Sequence, residues 1–154
     1  MQKRSGFTLI ELTVVIVLLA LLAAVSIPNF LSWLPKYRLR CAARDLYSNL
    51  QLAKMSAIKV NKDCRVNYYK NPDRYTVDLL NKTIRLSDYK SGIMFQGPSH
   101  QTFAASTITF NSRGTGNSGY AYLTNSGNTA YYRVGPLTSG AIKLQKWGGG
   151  TSWK

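Results

Sequence analysis

Few residues in this chain can do chemistry, and those that can lie near its start. Glu11 is the only glutamate among 154 residues, and it opens an apolar run that continues over residues 12–27. An acidic side chain at the centre of a bilayer costs about 2.5–3.5 kcal/mol on insertion scales, so a carboxylate here needs a named partner. The Gly6–Phe7 bond offers one, because its cleavage would leave a cationic amine on Phe7, four residues from Glu11. Elsewhere no catalytic set assembles. His100 is the only histidine and follows Gly97-Pro98 in a loop-like stretch, and no metal-ligand spacing or nucleophile–base pair is in place. The expectation is a non-enzyme with no metal and no cofactor.

The element that must hold Glu11 is a helix of membrane length. Glu11 is the only charged residue between Phe7 and Leu34, and about 20 predominantly apolar residues suffice to cross a hydrocarbon core about 30 Å thick. Lys3 and Arg4 precede the run, which places the N-terminus in the cytoplasm and everything after Asn29 on the far side. A secretory signal would account for the basic start, the apolar core and Ala24-Val25-Ser26 as a small-residue cleavage site, but it leaves Glu11 without a reason. Pro28 and Pro35 interrupt the helical pattern and mark either a kink or simple curvature.

Past the membrane run the helical period continues. Leu39, Ala42, Ala43, Leu46, Leu50, Ala53 and Ala57 recur at three- and four-residue spacing, with Arg38, Arg44, Lys54 and Lys59 off that stripe. From Cys64 onward the pattern changes to short strand-like runs at 65–69, 75–80, 83–86, 93–96, 107–111, 120–124, 130–134 and 141–145. Turn residues separate them, including Asn71-Pro72-Asp73, Asn81-Lys82 as a tight hairpin and Gly135-Pro136. The fold class that follows is α+β: a long N-terminal helix, half transmembrane and half amphipathic, packed on an antiparallel β domain of about eight short strands. The expected organisation is 1–6 leader, 7–28 transmembrane helix, 29–62 amphipathic half, 63–147 exported β domain and 148–154 flexible tail. Cys41 and Cys64 are expected as free thiols, because a helix running to about Asn61 holds them roughly 30 Å apart.

The charge is strongly positive, +14 overall. Lys3 and Arg4 are two of the 20 basic residues; without the leader, 18 face six acidic ones, for +12. No Asp or Glu follows Asp88, whereas Lys90, Arg113, Arg133, Lys143, Lys146 and Lys154 do. Such a surface suits a polyanion such as DNA, anionic lipid or polysaccharide, and it equally suits solubility or docking to an acidic partner subunit. Tyr120 and Tyr122 share one strand face, as do Tyr131 and Arg133, and both sets fit sheet packing. The 113–117 segment reads as a long mobile loop.

The run Gly6-Phe7-Thr8-Leu9-Ile10-Glu11-Leu12, behind a basic start and ahead of an apolar helix, resembles the class III signal of type IV pilins and pseudopilins. The resemblance implies that a prepilin peptidase cuts between Gly6 and Phe7 and methylates Phe7. It also implies that Glu11 pairs with the terminal amine of a neighbouring subunit, and that Pro28 is the helix proline of many pilins. Ile108-Thr109-Phe110-Asn111-Ser112-Arg113-Gly114, followed by a glycine-rich stretch and Tyr-rich strands, resembles the GspH/FimT type of minor pilin and pseudopilin. This implies a minor subunit of a type IV pilus with a priming or tip role, anchored in the inner membrane with its C-terminal domain periplasmic. The alternatives are a GspH-like pseudopilin of a type II secretion system and a DNA-binding minor pilin for natural transformation. For the last, Ser139-Gly140-Ala141-Ile142-Lys143 is the nearest match to the family's basic motif, with Ala141 where an arginine would stand. Arg113, Lys143, Lys146 and Trp147 are the candidate polyanion-binding residues, with Trp153 and Lys154 nearby. The implied partners are the prepilin peptidase, other pilin subunits, the inner membrane, and DNA or another polyanion.

Overall fold

The computed structural model describes residues 8–150 and 152–154, with the backbone alone for Pro28 and Asn29; Gly6 and Phe7 lie outside the described residues. Helix α1 runs Leu9–Val60 and is followed by eight strands: β1 Cys64–Tyr69, β2 Arg74–Val77, β3 Lys82–Arg85, β4 Met94–Phe95, β5 Thr107–Phe110, β6 Ala121–Thr124, β7 Tyr131–Pro136 and β8 Ile142–Lys146. The chain divides into two compact units, Met1–Leu34 and Pro35–Lys154.

Within the first unit, Leu9–Ile27 is long and apolar enough to cross a membrane, and none of that stretch is buried in the protein. The helix starts on Thr8, whose Oγ1 accepts the Glu11 backbone N–H at 3.3 Å while its carbonyl accepts the Leu12 N–H at 3.2 Å. The Thr13 hydroxyl is satisfied locally, donating to the Leu9 carbonyl at 2.7 Å, as a polar group in an apolar span must be. Positions 28 and 35 both lie inside α1, which is assigned as helix without a break from Leu9 to Val60. Each proline removes one donor from the ladder, and the surrounding bonds carry the helix past it.

In the second unit the amphipathic stripe is the core. Leu39, Ala42, Ala43, Leu46, Leu50, Ala53 and Ala57 are all 0–1% exposed. The helix closes at Asn61, whose φ of 53° is left-handed; the Lys62 N–H reaches back to the Ala57 carbonyl at 3.1 Å and the Asn61 N–H to Ile58 at 3.3 Å. That is the paired-bond ending that a left-handed residue after the last turn permits.

The strands form two antiparallel four-stranded sheets, in the orders β3-β2-β1-β5 and β4-β6-β7-β8. Alternation decides the inner faces. Cys64, Val66 and Tyr68 of β1, Tyr75 and Val77 of β2, and Ile108 and Phe110 of β5 point inward, with Leu123, Tyr132 and Val134 from the second sheet, and all join the helix stripe in one cluster. Asn49, 5% exposed, ties α1 to the first sheet: its Nδ2 donates to the Tyr75 hydroxyl at 2.8 Å and its Oδ1 accepts the Lys82 ammonium at 3.0 Å.

Three local expectations change. Asn81-Lys82 is not a two-residue turn: β2 and β3 pair Val77 with Lys82, and a 3-10 turn over Asp78–Leu80 plus left-handed Asn81 connects them. The 113–117 segment is pinned. Asn111 Oδ1 accepts the Arg113 and Thr115 N–H groups, and Asn117 bonds both the N–H of Thr109 and the carbonyl of Thr107. Finally, residues 148–150 and 152–154 do not behave as a free tail: Lys146 and Lys154 exchange backbone bonds at 2.7 and 2.9 Å, and Gly148 N–H donates to the Ser152 carbonyl at 3.0 Å. The chain reverses at the three glycines, with Gly149 and Gly150 both at positive φ, and an antiparallel bridge joins Trp147 to Trp153.

Candidate functional site

Two regions carry the chemistry, one in each unit. At the start of α1, Thr8 and Glu11 stand in the Thr-x-x-Glu spacing of a capping box, with the observed Glu11 N–H to Thr8 Oγ1 bond as one half of it. A carboxylate in the first turn also meets the positive end of the helix dipole. Among the described residues nothing bonds the Glu11 carboxylate itself. The Thr8 signal was legible in the sequence as a Ser/Thr-x-x-Asp/Glu pattern before an apolar run; it gives Glu11 a local place in the helix cap.

The second region is the sheet β4-β6-β7-β8, whose two faces differ. On the outer face, Tyr122, Arg133 and Gln145 sit in one cross-strand row. The Arg133 guanidinium lies 4.5 Å from the Tyr120 ring centre and 4.7 Å from that of Trp153, and its Nε and Nη2 donate to Gln145 Oε1 at 3.0 and 2.8 Å. Trp147 meets Trp153 edge-on with centroids 4.9 Å apart, and Tyr122 packs at 5.6 Å. Trp153 is thus the centre of a lock, and its partners are spent on holding the last strand.

On the inner face, Leu144 and Lys146 turn toward α1. Arg40, Arg44, Tyr132, Leu144, Lys146 and Lys154 line a cavity of ≈ 380 Å³. A second cavity of ≈ 420 Å³ shares Tyr132 and Lys146 with it and adds Lys36, Asn128, Tyr131 and Trp147. Lys36, Arg40, Arg44, Lys146 and Lys154 are all exposed, and none is ion-paired to a carboxylate among the described residues.

The four candidate polyanion-binding residues therefore do not form one patch. Lys146 and Trp147 both line the ≈ 420 Å³ cavity, where Trp147 also packs on Trp153 in the lock, and Lys143 is exposed on the outer face opposite Gly135. Arg113 sits at the Gly114 turn, where the backbone of Gly114 comes so close to Gly140 that a Cβ on Gly140, at φ +76°, would strike the Gly114 carbonyl. Arg40 and Arg44 were missed as site residues because only the fold brings helix cations against β8. The i, i+4, i+8 spacing of Lys36, Arg40 and Arg44 was the available signal. His100 is an exposed loop residue whose Nδ1 lies 3.2 Å from the Gln96 amide. Among the described residues no group of three His, Cys, Asp or Glu side chains could hold a metal. Cys41 is half-buried and unbridged, and Cys64 is buried, with burial pushing its thiol pKa up and the field of Asp78 adding to that.

Residues 1–27 match the Prokaryotic N-terminal methylation motif, and residues 42–140 match the family described as Type II transport protein GspH. The chain belongs to the GspH family. Two solved structures share the fold of this GspH-family protein. One is the minor pseudopilin EpsH from the Type 2 Secretion System of Vibrio cholerae, with a TM-score of 0.56 and 18% identity over 73% of this chain and 99% of that one. The other is the type IV minor pilin FimU of Pseudomonas aeruginosa, with a TM-score of 0.54 and 15% identity over 71% of this chain and 89% of that one. No curated protein matches the chain. The methylation motif implies processing by a prepilin peptidase and assembly with other pilin-like subunits, and the one apolar N-terminal helix suits an inner-membrane anchor.

Proposed function

We propose that this GspH-family chain is a minor, non-enzymic subunit of a type IV pilus. It is inserted with its N-terminus cytoplasmic and its C-terminal domain periplasmic, cut between Gly6 and Phe7, and methylated on Phe7. It then enters the filament by pairing Glu11 with the terminal amine of a neighbour. The observation that supports this most directly is a lone carboxylate in the first turn of an exposed apolar helix, on a chain that also carries the methylation motif. Removing one partner of a buried ion pair typically costs about 3–5 kcal/mol, enough to abolish docking.

Mass spectrometry of the mature protein tests the processing step. A chain beginning at methylated Phe7 is expected, and a start at Ile27 would sink the reading. Glu11→Gln tests assembly separately from capping, because glutamine retains a capping-box side chain without the charge. Glu11→Gln and Glu11→Ala should both fail to enter filaments; entry of the Gln variant at wild-type levels would make Glu11 a cap and nothing more.

The likeness to EpsH favours a second reading, a pseudopilin of a type II secretion system. Deleting the gene separates the two, through loss of surface pili in one case and of protein secretion in the other. A DNA-uptake role would rest on Arg113, Lys143, Lys146 and Trp147, and a gel-shift titration at low salt tests it.

A further inference from the structure

The two cavities beside α1 share Tyr132 and Lys146, and the basic trough they make together has a spacing of charges that selects an occupant. Lys36, Arg40 and Arg44 recur every four residues on one helix, so their Cα atoms rise along it by about 6 Å per step. Alternate residues of an extended chain are about 6.6 Å apart. A row of acidic side chains on every second residue therefore matches the helix cations nearly in register. Lys146 and Lys154 close the opposite wall, and arginine's planar fork suits carboxylates in bidentate pairs.

The charge balance rules out a second copy of this chain. Pro35–Lys154 holds 18 basic residues and five aspartates, Asp45, Asp63, Asp73, Asp78 and Asp88, and β4–β8 carry no acid at all. A homotypic contact here would bring cation against cation. A nucleic acid fits poorly as well. Single strands gain much of their affinity from bases stacking on rings; the ring lining the cavity beside Arg40 and Arg44 is Tyr132, 8% exposed, and of the rings at the Lys36 end, Tyr131 and Trp147, the latter is already packed edge-on against Trp153.

We propose that the trough formed by Lys36, Arg40, Arg44, Lys146 and Lys154 docks an extended acidic segment of a different subunit in the same filament. It makes this basic chain a minority component seated beside an acidic neighbour. The inference rests on the assembly reading above.

The test uses the full chain in nonionic detergent micelles and a fluorescent peptide of alternating Asp and Ser. About eight residues at ~3.3 Å each reach past all three helix cations. The peptide should bind, weaken as salt rises, and lose at least tenfold in affinity in the Arg40→Gln/Arg44→Gln double variant. Arg65→Gln, on the exposed face of β1, should bind as the wild type does. All three positions are exposed, so unchanged thermal unfolding confirms that the variants fold. Equal peptide affinity in the double variant overturns the proposal. So does binding of a single-stranded oligonucleotide, or of vesicles containing phosphatidylglycerol, where the peptide does not bind. The mass of the mature N-terminus is measured on the same protein. A start other than Phe7 defeats the assembly reading, whereas a Phe7 start with no peptide binding defeats the trough alone.

Discussion

Arg133→Ala should release the C-terminal lock, and its cost can be worked from the contacts. The guanidinium faces two rings, Tyr120 at 4.5 Å and Trp153 at 4.7 Å, and donates twice to Gln145. A half-buried cation–π contact is worth roughly 0.5–2 kcal/mol, and a hydrogen bond from a charged donor about 1.5–3 kcal/mol. Because these share one side chain they do not simply add, and about 2–4 kcal/mol is expected for the whole loss. Arg133→Lys keeps the charge but not the planar fork, so it should recover less than half. Urea unfolding followed by tryptophan fluorescence and circular dichroism reads the change. A double-mutant cycle of Arg133→Ala with Trp153→Ala should show a coupling of about 1 kcal/mol. A coupling indistinguishable from zero, with stability unchanged by removal of residues 149–154, would refute the lock and restore the free tail. The result matters for function, because a locked Arg133, Trp147 and Trp153 cannot serve at the same time as a platform for bases.

Alkaline pH should unfold the domain steeply. Burial pushes the Tyr68 and Tyr75 hydroxyls above their ordinary range, so their contribution is fully present below about pH 10 and is lost above it, as the unfolded chain ionises and the folded one does not. Burial, with the Asp45 carboxylate, raises Tyr89 as well, so three such groups give a limiting slope of about 4 kcal/mol per pH unit, and a denaturant series from pH 9 to 11 showing no slope would contradict their burial. Tyr68→Phe should raise stability by about 1–2 kcal/mol, because the buried hydroxyl has no partner among the described residues; it should also lower the alkaline slope by about a third. Cys41 should react with a maleimide in the native protein and Cys64 only after unfolding, since Cys64 is 0% exposed and its thiol pKa is raised; native labelling of both would show the β1 edge to be open. Leu46→Ala, at the centre of the helix stripe, should cost about 2–5 kcal/mol in the same urea assay.

Much of the fold was legible because burial imposes periods. The seven stripe positions of α1 are those the three- and four-residue spacing selected, and all eight expected strands exist. Their ends were less legible. The runs ending at Leu80 and Leu86 were read as strand, but Asp78–Leu80 and Leu86–Tyr89 are 3-10 turns, since nothing in an apolar pair distinguishes a last strand residue from a turn packed on the same core. Glycine-rich stretches misled most. Gly114, Gly116 and the 148–150 run suggested mobility, yet Gly116 lies against the Thr109 carbonyl and donates to the distant Thr138 carbonyl, while Gly114, Gly149 and Gly150 take the positive φ of tight turns closed by bonds to Asn111 and Ser152.

What the sequence by itself determined was the membrane-length anchor, the Gly6 to Glu11 motif, the helix stripe and the strand alternation. All of these follow from local period or from contiguous residue types. What only the tertiary structure decided was the company each charge keeps. Arg133 is enclosed by Tyr120 and Trp153, Lys146 turns inward to Arg40 and Arg44, and Arg113 stands at a separate turn. The physical reason is that a strand alternates its side chains between two faces. Whether a cation joins a cavity or a lock then depends on which distant helix or edge the fold sets against that face, and no local pattern records it.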